Sequence, residues 1–110
     1  MKISQLVTCL DLEVLTMPEP DVQITGGYVG DLLSWVMGRA EAGHVWITIM
    51  TNINILAVAS LVGVSAIVVA EGAEISADVI AKAEEQKINL LRTSEPAFDT
   101  VVAVGREIGL

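Results

Sequence analysis

The stretch Thr25-Gly26-Gly27-Tyr28-Val29-Gly30-Asp31 comes closest to a chemical device in this sequence. Glycines beside a helix start are what a phosphate-binding loop needs, because they leave backbone N–H groups free to approach an anion. The details point elsewhere. There is no GxxxxGK[ST] and no GxGxxG, no lysine lies close to the turn, and Asp31 puts a negative charge where a phosphate would sit. The stretch therefore reads first as a tight strand-to-helix connection, with Asp31 placed to cap the helix that follows.

The other reactive side chains are isolated. His44 is the sole histidine, so neither a triad nor a histidine-based metal site can be assembled within one chain. Cys9 is the sole cysteine and can form no internal disulfide; on a short helix beside an apolar stripe it is expected to be a small buried thiol. Acidic pairs such as Glu84-Glu85 read as solvated helix faces, and Trp35 and Trp46 as core or interface residues. An enzyme would need Asp31, Glu71 or Cys9 to have a supporting group, and none is evident. No catalytic residue, metal or cofactor is assigned.

The totals narrow the class. At 110 residues the chain has the size of one domain, spanning 1–110. Fourteen acidic against six basic side chains give a net charge of −8, which works against binding nucleic acid or an anionic membrane. The N-terminal residues lack an apolar signal-peptide core, and the lone cysteine fits a reducing cytoplasm. From Val45 to Ala70 no side chain is charged, a span long enough for a membrane helix. The apolar period changes along it from strand-like to helix-like, so it parses as strand, helix and strand in a buried core.

The elements that position these residues follow in order. Ile3, Leu6, Val7 and Leu10 mark one face of a first helix. Leu12–Thr16 and Val22–Thr25 are strands separated by a proline loop too short for a parallel crossover, so as neighbours they would run antiparallel. Asp31 to Gly43 is helical, His44–Met50 a strand, Asn52–Val62 a helix capped by Thr51 or an asparagine, and Ala66–Ala70 a strand. Ser76 caps the helix Ala77–Lys87, Asn89–Thr93 is a strand, and after Pro96 a last helix faces inward through Phe98, Val101, Val102, Gly105 and Ile108. The order αββαβαβαβα implies an α/β fold. It is a single three-layer domain whose mostly parallel sheet has about five strands, with helices on both faces and the first two strands antiparallel.

In such sheets ligands bind outside the carboxyl ends of the strands. That rule gathers Thr25, Gly26, Gly27, Thr51, Asn52, Asn54, Glu71, Gly72, Thr93 and Ser94 into a tentative ligand-binding edge rich in hydroxyl, amide and backbone groups. Each could instead merely cap a helix or turn the chain. The helix after Asn52 is apolar on every side, which predicts burial on every side and hence a homodimer through Trp35, Ile55, Val58, Ala59 and Val62.

Ile24-Thr25-Gly26-Gly27-Tyr28-Val29-Gly30-Asp31-Leu32-Leu33-Ser34, with Val45–Thr48, Asn54–Ala59 and Ala66–Val69, resembles the DRTGG domain over nearly the whole chain. That family occurs as a small stand-alone protein and as a module beside CBS domains and in phosphotransacetylase-type and CobQ-like proteins. It is similar to the N-terminal domain of HPr serine kinase/phosphatase. The resemblance implies an α/β domain, dimerisation and a regulatory or ligand-sensing role, with no catalytic residues to carry over. Only Thr25-Gly26-Gly27 of the naming string is kept, and the P-loop kinase domain of HPr kinase is absent. Three functions follow for test: a sensor of a small metabolite or nucleotide, an adaptor whose apolar helix docks a larger protein partner, and a small enzyme.

Overall fold

A computed structural model describes all 110 residues. In chain order the elements are α1 (Ile3–Leu10), β1 (Glu13–Thr16), β2 (Gly26–Val29), α2 (Leu33–Arg39), β3 (His44–Thr48), α3 (Asn54–Val62), β4 (Ala66–Val69), α4 (Ala77–Glu85), β5 (Leu90–Arg92) and α5 (Ala97–Glu107). This is the expected αββαβαβαβα order. The sheet runs β1-β5-β4-β3-β2, parallel from β2 to β5, with β1 antiparallel to β5.

Because β2, β3, β4 and β5 are laid down side by side, right-handed crossovers put α2, α3 and α4 on one face. Val36, Ile55, Leu56, Val58, Ala59, Val79 and Ala83 from these helices pack there against Trp46, Ile67, Val69 and Leu90. The other face is covered by α1 and α5, whose Ile3, Leu6 and Val104 meet Val45, Ile47, Val68 and Leu91. The charge-free span Val45–Ala70 is accounted for by β3, α3 and β4. No helix of the fold is long and apolar enough to cross a membrane.

The first two strands run in opposite directions, as expected, but they are not neighbours: they form the two edges of the sheet. The segment between them crosses the sheet's width. It is pinned where Ile3 N donates to Val22 O (3.1 Å) and Ser4 N to Pro20 O (3.0 Å). These ties also shift the second strand. Residues 22–25 do not form it, since Ile24 N donates to Met1 O and Thr25 N to Gly43 O. The glycines themselves enter the sheet, Gly26 opposite His44 and Gly27 opposite Val45.

Two helix faces differ from expectation. Around α3 only Ile55, Leu56, Val58 and Ala59 are buried, while Ile53 and Leu61 remain 50% and 72% exposed. In α5, Val104 is the buried apolar residue and Phe98 is 77% exposed, because the helix starts at Ala97 and its inward stripe runs through Val101, Val104 and Ile108. Cys9 is exposed rather than buried.

Candidate functional site

The expected ligand edge divides. Thr25, Gly26 and Gly27 lie at the amino ends of the strands, beside His44, on the side of the sheet opposite the carboxyl ends. They cannot join a site with the others. Their local role is visible in the geometry. Thr25 Oγ1 donates to Ala42 O at 2.8 Å and lies where a side chain on Gly43 would go: a Cβ there would come within 2.6 Å of it. Gly43, at φ +84°, is therefore the glycine this contact requires.

At the carboxyl ends of β2 and β3, Asp31 does not cap α2. Its Oδ1 accepts from Thr48 Oγ1 (2.7 Å) and from Ile49 N (2.9 Å), and Thr48 Oγ1 accepts in turn from Met50 N (3.1 Å). The carboxylate clasps the two strand ends together. Asp31→Ala is expected to cost about 1–2 kcal/mol in urea unfolding, since two donors lose a charged acceptor at a partly wet site; an unchanged midpoint would contradict the clasp. One loop further, Asn52 Oδ1 accepts from Asn54 N at 2.9 Å, turning the chain into α3. Thr51 is half-buried at the same edge, whereas Asn52 and Asn54 face solvent.

The carboxyl ends of β4 and β5 hold the rest. After β4 the chain leaves for α4 on one face, and after β5 for α5 on the other, so the fold's switch point lies between these strands. Glu71, Gly72, Thr93 and Ser94 come together there. Glu71 N donates to Glu95 O (2.8 Å) and Gly72 N to Thr93 O (2.9 Å). Both Glu71 and Gly72 sit at φ +64°. Gly72 would bring a Cβ to 3.7 Å from Ser94 Cα. The Glu71 carboxylate accepts from Ala97 N at 2.8 Å and so satisfies the first turn of α5 from a neighbouring loop.

Arg92, absent from the expected set, organises this end. Its guanidinium donates to Ala73 O (2.9 Å) and Gly72 O (2.8 Å) and pairs with Glu13 at 3.1 Å. It thereby staples the loop after β4 to β1. A cation closing the short strand Leu90–Arg92 was the available sequence signal. Beside it Asp11, Glu13, Thr93, Ser94 and Glu95 line a cleft of about 380 Å³. With three carboxylates against one committed guanidinium, the cleft suits a neutral or cationic polar group and repels phosphate. Hydroxyl, carboxylate and backbone groups there can bind and orient.

The remaining assignments separate in the same way. Ile55, Val58 and Ala59 are buried in this chain's own core and are not available to a partner; Val62 is half-buried and Trp35 is 52% exposed. Arg39 stacks on the Trp35 ring at 3.7 Å from its centroid. Partial shielding from water, then the charge of Glu107 and its carboxylate as hydrogen-bond acceptor, push the Cys9 thiol up. That keeps it protonated and a poor nucleophile. His44 Nδ1 accepts from Glu41 N, and the histidine starts β3 at the amino ends of the parallel strands, the end opposite the cleft.

No family model and no curated protein matches the chain. Among solved structures it is similar to the CBS and DRTGG domains of the regulatory region of Clostridium perfringens pyrophosphatase, complexed with the activator diadenosine tetraphosphate. The TM-score is 0.74 at 17% identity, over 93% of this chain and 45% of that one. This chain thus spans less than half of its neighbour. The likeness shows the fold, that of a part of that regulatory region, in keeping with a DRTGG-like architecture.

Proposed function

We propose that this chain is a non-catalytic regulatory domain of the DRTGG type, in the cytoplasm, that senses a small metabolite or nucleotide at the carboxyl edge of its strands and acts as a homodimer. The observation that carries this reading is the cleft at the carboxyl end of β5, lined by Asp11, Glu13, Thr93, Ser94 and Glu95, next to the Glu71-Gly72 turn that hydrogen-bonds to Thr93 and Glu95. The fold neighbour supports it as a regulatory region bound to a nucleotide activator. Kinship to the N-terminal domain of HPr kinase belongs to the same reading. The carboxylates of the cleft favour the nucleoside or another neutral or cationic part of a ligand over its phosphates.

A thermal-shift screen tests the sensor. Nucleosides, nucleotides, diadenosine polyphosphates, amines and acyl phosphates are compared, and at 100 Kd a ligand of the native state adds about 2.7 kcal/mol. The expected result is a rise in Tm with at least one of them that Ser94→Trp abolishes. No shift with any compound would refute the reading. The exposed apolar residues of α3 favour a second reading, an adaptor that docks a larger protein, which purification of a defined complex from native lysate would support.

A further inference from the structure

The outer surface of α2 and α3 carries an apolar patch that the core does not use. Leu32, Trp35, Met37, Ile53 and Leu61 are between 45% and 72% exposed. Ile53, Ala57 and Leu61, four residues apart, form one outward stripe of α3, and all three are exposed. At about 200 Å² for each large side chain the patch presents roughly 500 Å² of apolar surface, near the upper end for a monomer. A standard interface buries about 800 Å² per partner, of which about two-thirds is apolar in homodimers, so the patch matches one half of such an interface.

Charge decides the occupant. Each copy carries a net −8, and self-association must therefore avoid the acidic faces. Between Leu32 and Val62 the only charged side chains are Arg39 and Glu41, and Arg39 lies flat on Trp35. The α2–α3 layer is the neutral face of an acidic molecule. We infer that two copies of this chain pair across that face about a twofold axis, through Trp35, Ile53, Ala57 and Leu61, with Leu32 and Met37 at its rim. The inference rests on the proposed homodimer and assigns its surface. It replaces the buried Ile55, Val58 and Ala59 by the exposed residues of the same helix. Leu32 follows Asp31 directly, so the interface lies toward the β2–β3 side of the sheet, away from the cleft beside β5.

Sedimentation equilibrium of the whole chain tests it. Wild type is expected to be dimeric at roughly 10–50 μM, above a micromolar Kd. Leu61→Glu is expected to weaken the dimer at least about 100-fold with the circular dichroism spectrum unchanged. Ile53→Lys is a second probe on the same face should Leu61→Glu fail to fold, and Phe98→Glu, on α5, is expected to leave the dimer intact. A monomeric wild type overturns the inference together with the homodimer, while the ligand screen still judges the sensor. A dimeric wild type whose folded Leu61→Glu or Ile53→Lys variant stays dimeric overturns the face alone, as does loss of the dimer in Phe98→Glu. A complex only with an unlike protein would assign the patch to an adaptor and overturn the pairing of copies.

Discussion

Trp46→Ala is expected to remove about 3–5 kcal/mol of stability, which is a large part of the roughly 5–15 kcal/mol available to a domain of this kind. Trp46 is fully buried at the centre of the face covered by α2, α3 and α4. Truncation leaves a cavity between β3 and those helices that neighbouring rigid elements can only partly fill. A polar loss comes with it. Trp46 Nε1 donates to Gly30 O at 2.9 Å, so the indole also fixes the turn that carries the chain from β2 to Asp31. Urea unfolding followed by circular dichroism measures the effect. Trp46→Phe separates the two contributions, because it keeps most of the ring volume and loses the hydrogen bond; a cost of about 1–2 kcal/mol is expected. If Trp46→Ala cost less than about 1 kcal/mol, the indole would not be the centre of this core.

The second large effect belongs to a residue with no bearing on any candidate site. Asn89 is 3% exposed, donates through Nδ2 to Glu19 O (2.8 Å) and Ser65 O (2.9 Å), and accepts at Oδ1 from Glu19 N (3.0 Å). One amide thus ties the segment crossing under the sheet to the start of β4. Asn89→Ala is expected to cost about 3 kcal/mol, since three backbone groups lose partners where water reaches them poorly. Asn89→Asp should cost at least as much, because it replaces two donated hydrogen bonds by a carboxylate facing two carbonyl oxygens. Hydrogen exchange gives a local readout: the Glu19 amide is expected to lose protection in Asn89→Ala before the amides of β3 and β4 do. Unchanged exchange at Glu19 would show that the crossing segment is held by other contacts.

The repeating βα units were legible because their cause is local. Val45–Ile47 and Ala66–Val69 are apolar at every position, as a strand covered on both faces must be. Helices α1 and α4 announce themselves through period and flanking polar residues. What the pattern could not supply was the partner of β1. Local alternation says that Glu13–Thr16 is a strand, but its pairing with Leu90–Arg92 rests on contacts more than seventy residues apart, such as Thr16 Oγ1 to Ile88 O at 2.6 Å. The glycine stretch misled for a related reason. Gly26 and Gly27 resemble a turn by composition, yet they pair in the sheet because Met1 and Gly43 hold the residues before them. The apolar excess of α3 was real, but a helix of nine residues shares itself between one core and one outer surface, and only burial tells which residue belongs to which.

The candidate site was legible by half. Thr93, Ser94, Glu71 and Gly72 follow from the rule on strand ends once the strands are placed, whereas Thr25, Gly26 and Gly27 were carried to the wrong edge by a boundary error of four residues at β2. Arg92, at the end of β5, meets Asp11, just before β1, only through the pairing of β1 with β5, which could not be read locally.

The pairing of β1 with β5 also sets a condition on how the domain is made. During synthesis β1 emerges early and finds no strand to join until Leu90–Arg92 has followed, whereas β2, β3 and β4 can associate as they appear. Closing so distant a contact carries a loop entropy that local pairings do not. Until then the nascent chain holds a lone edge at β4 and an unsheltered α1, and that interval is when it is most exposed to capture by other unfinished chains.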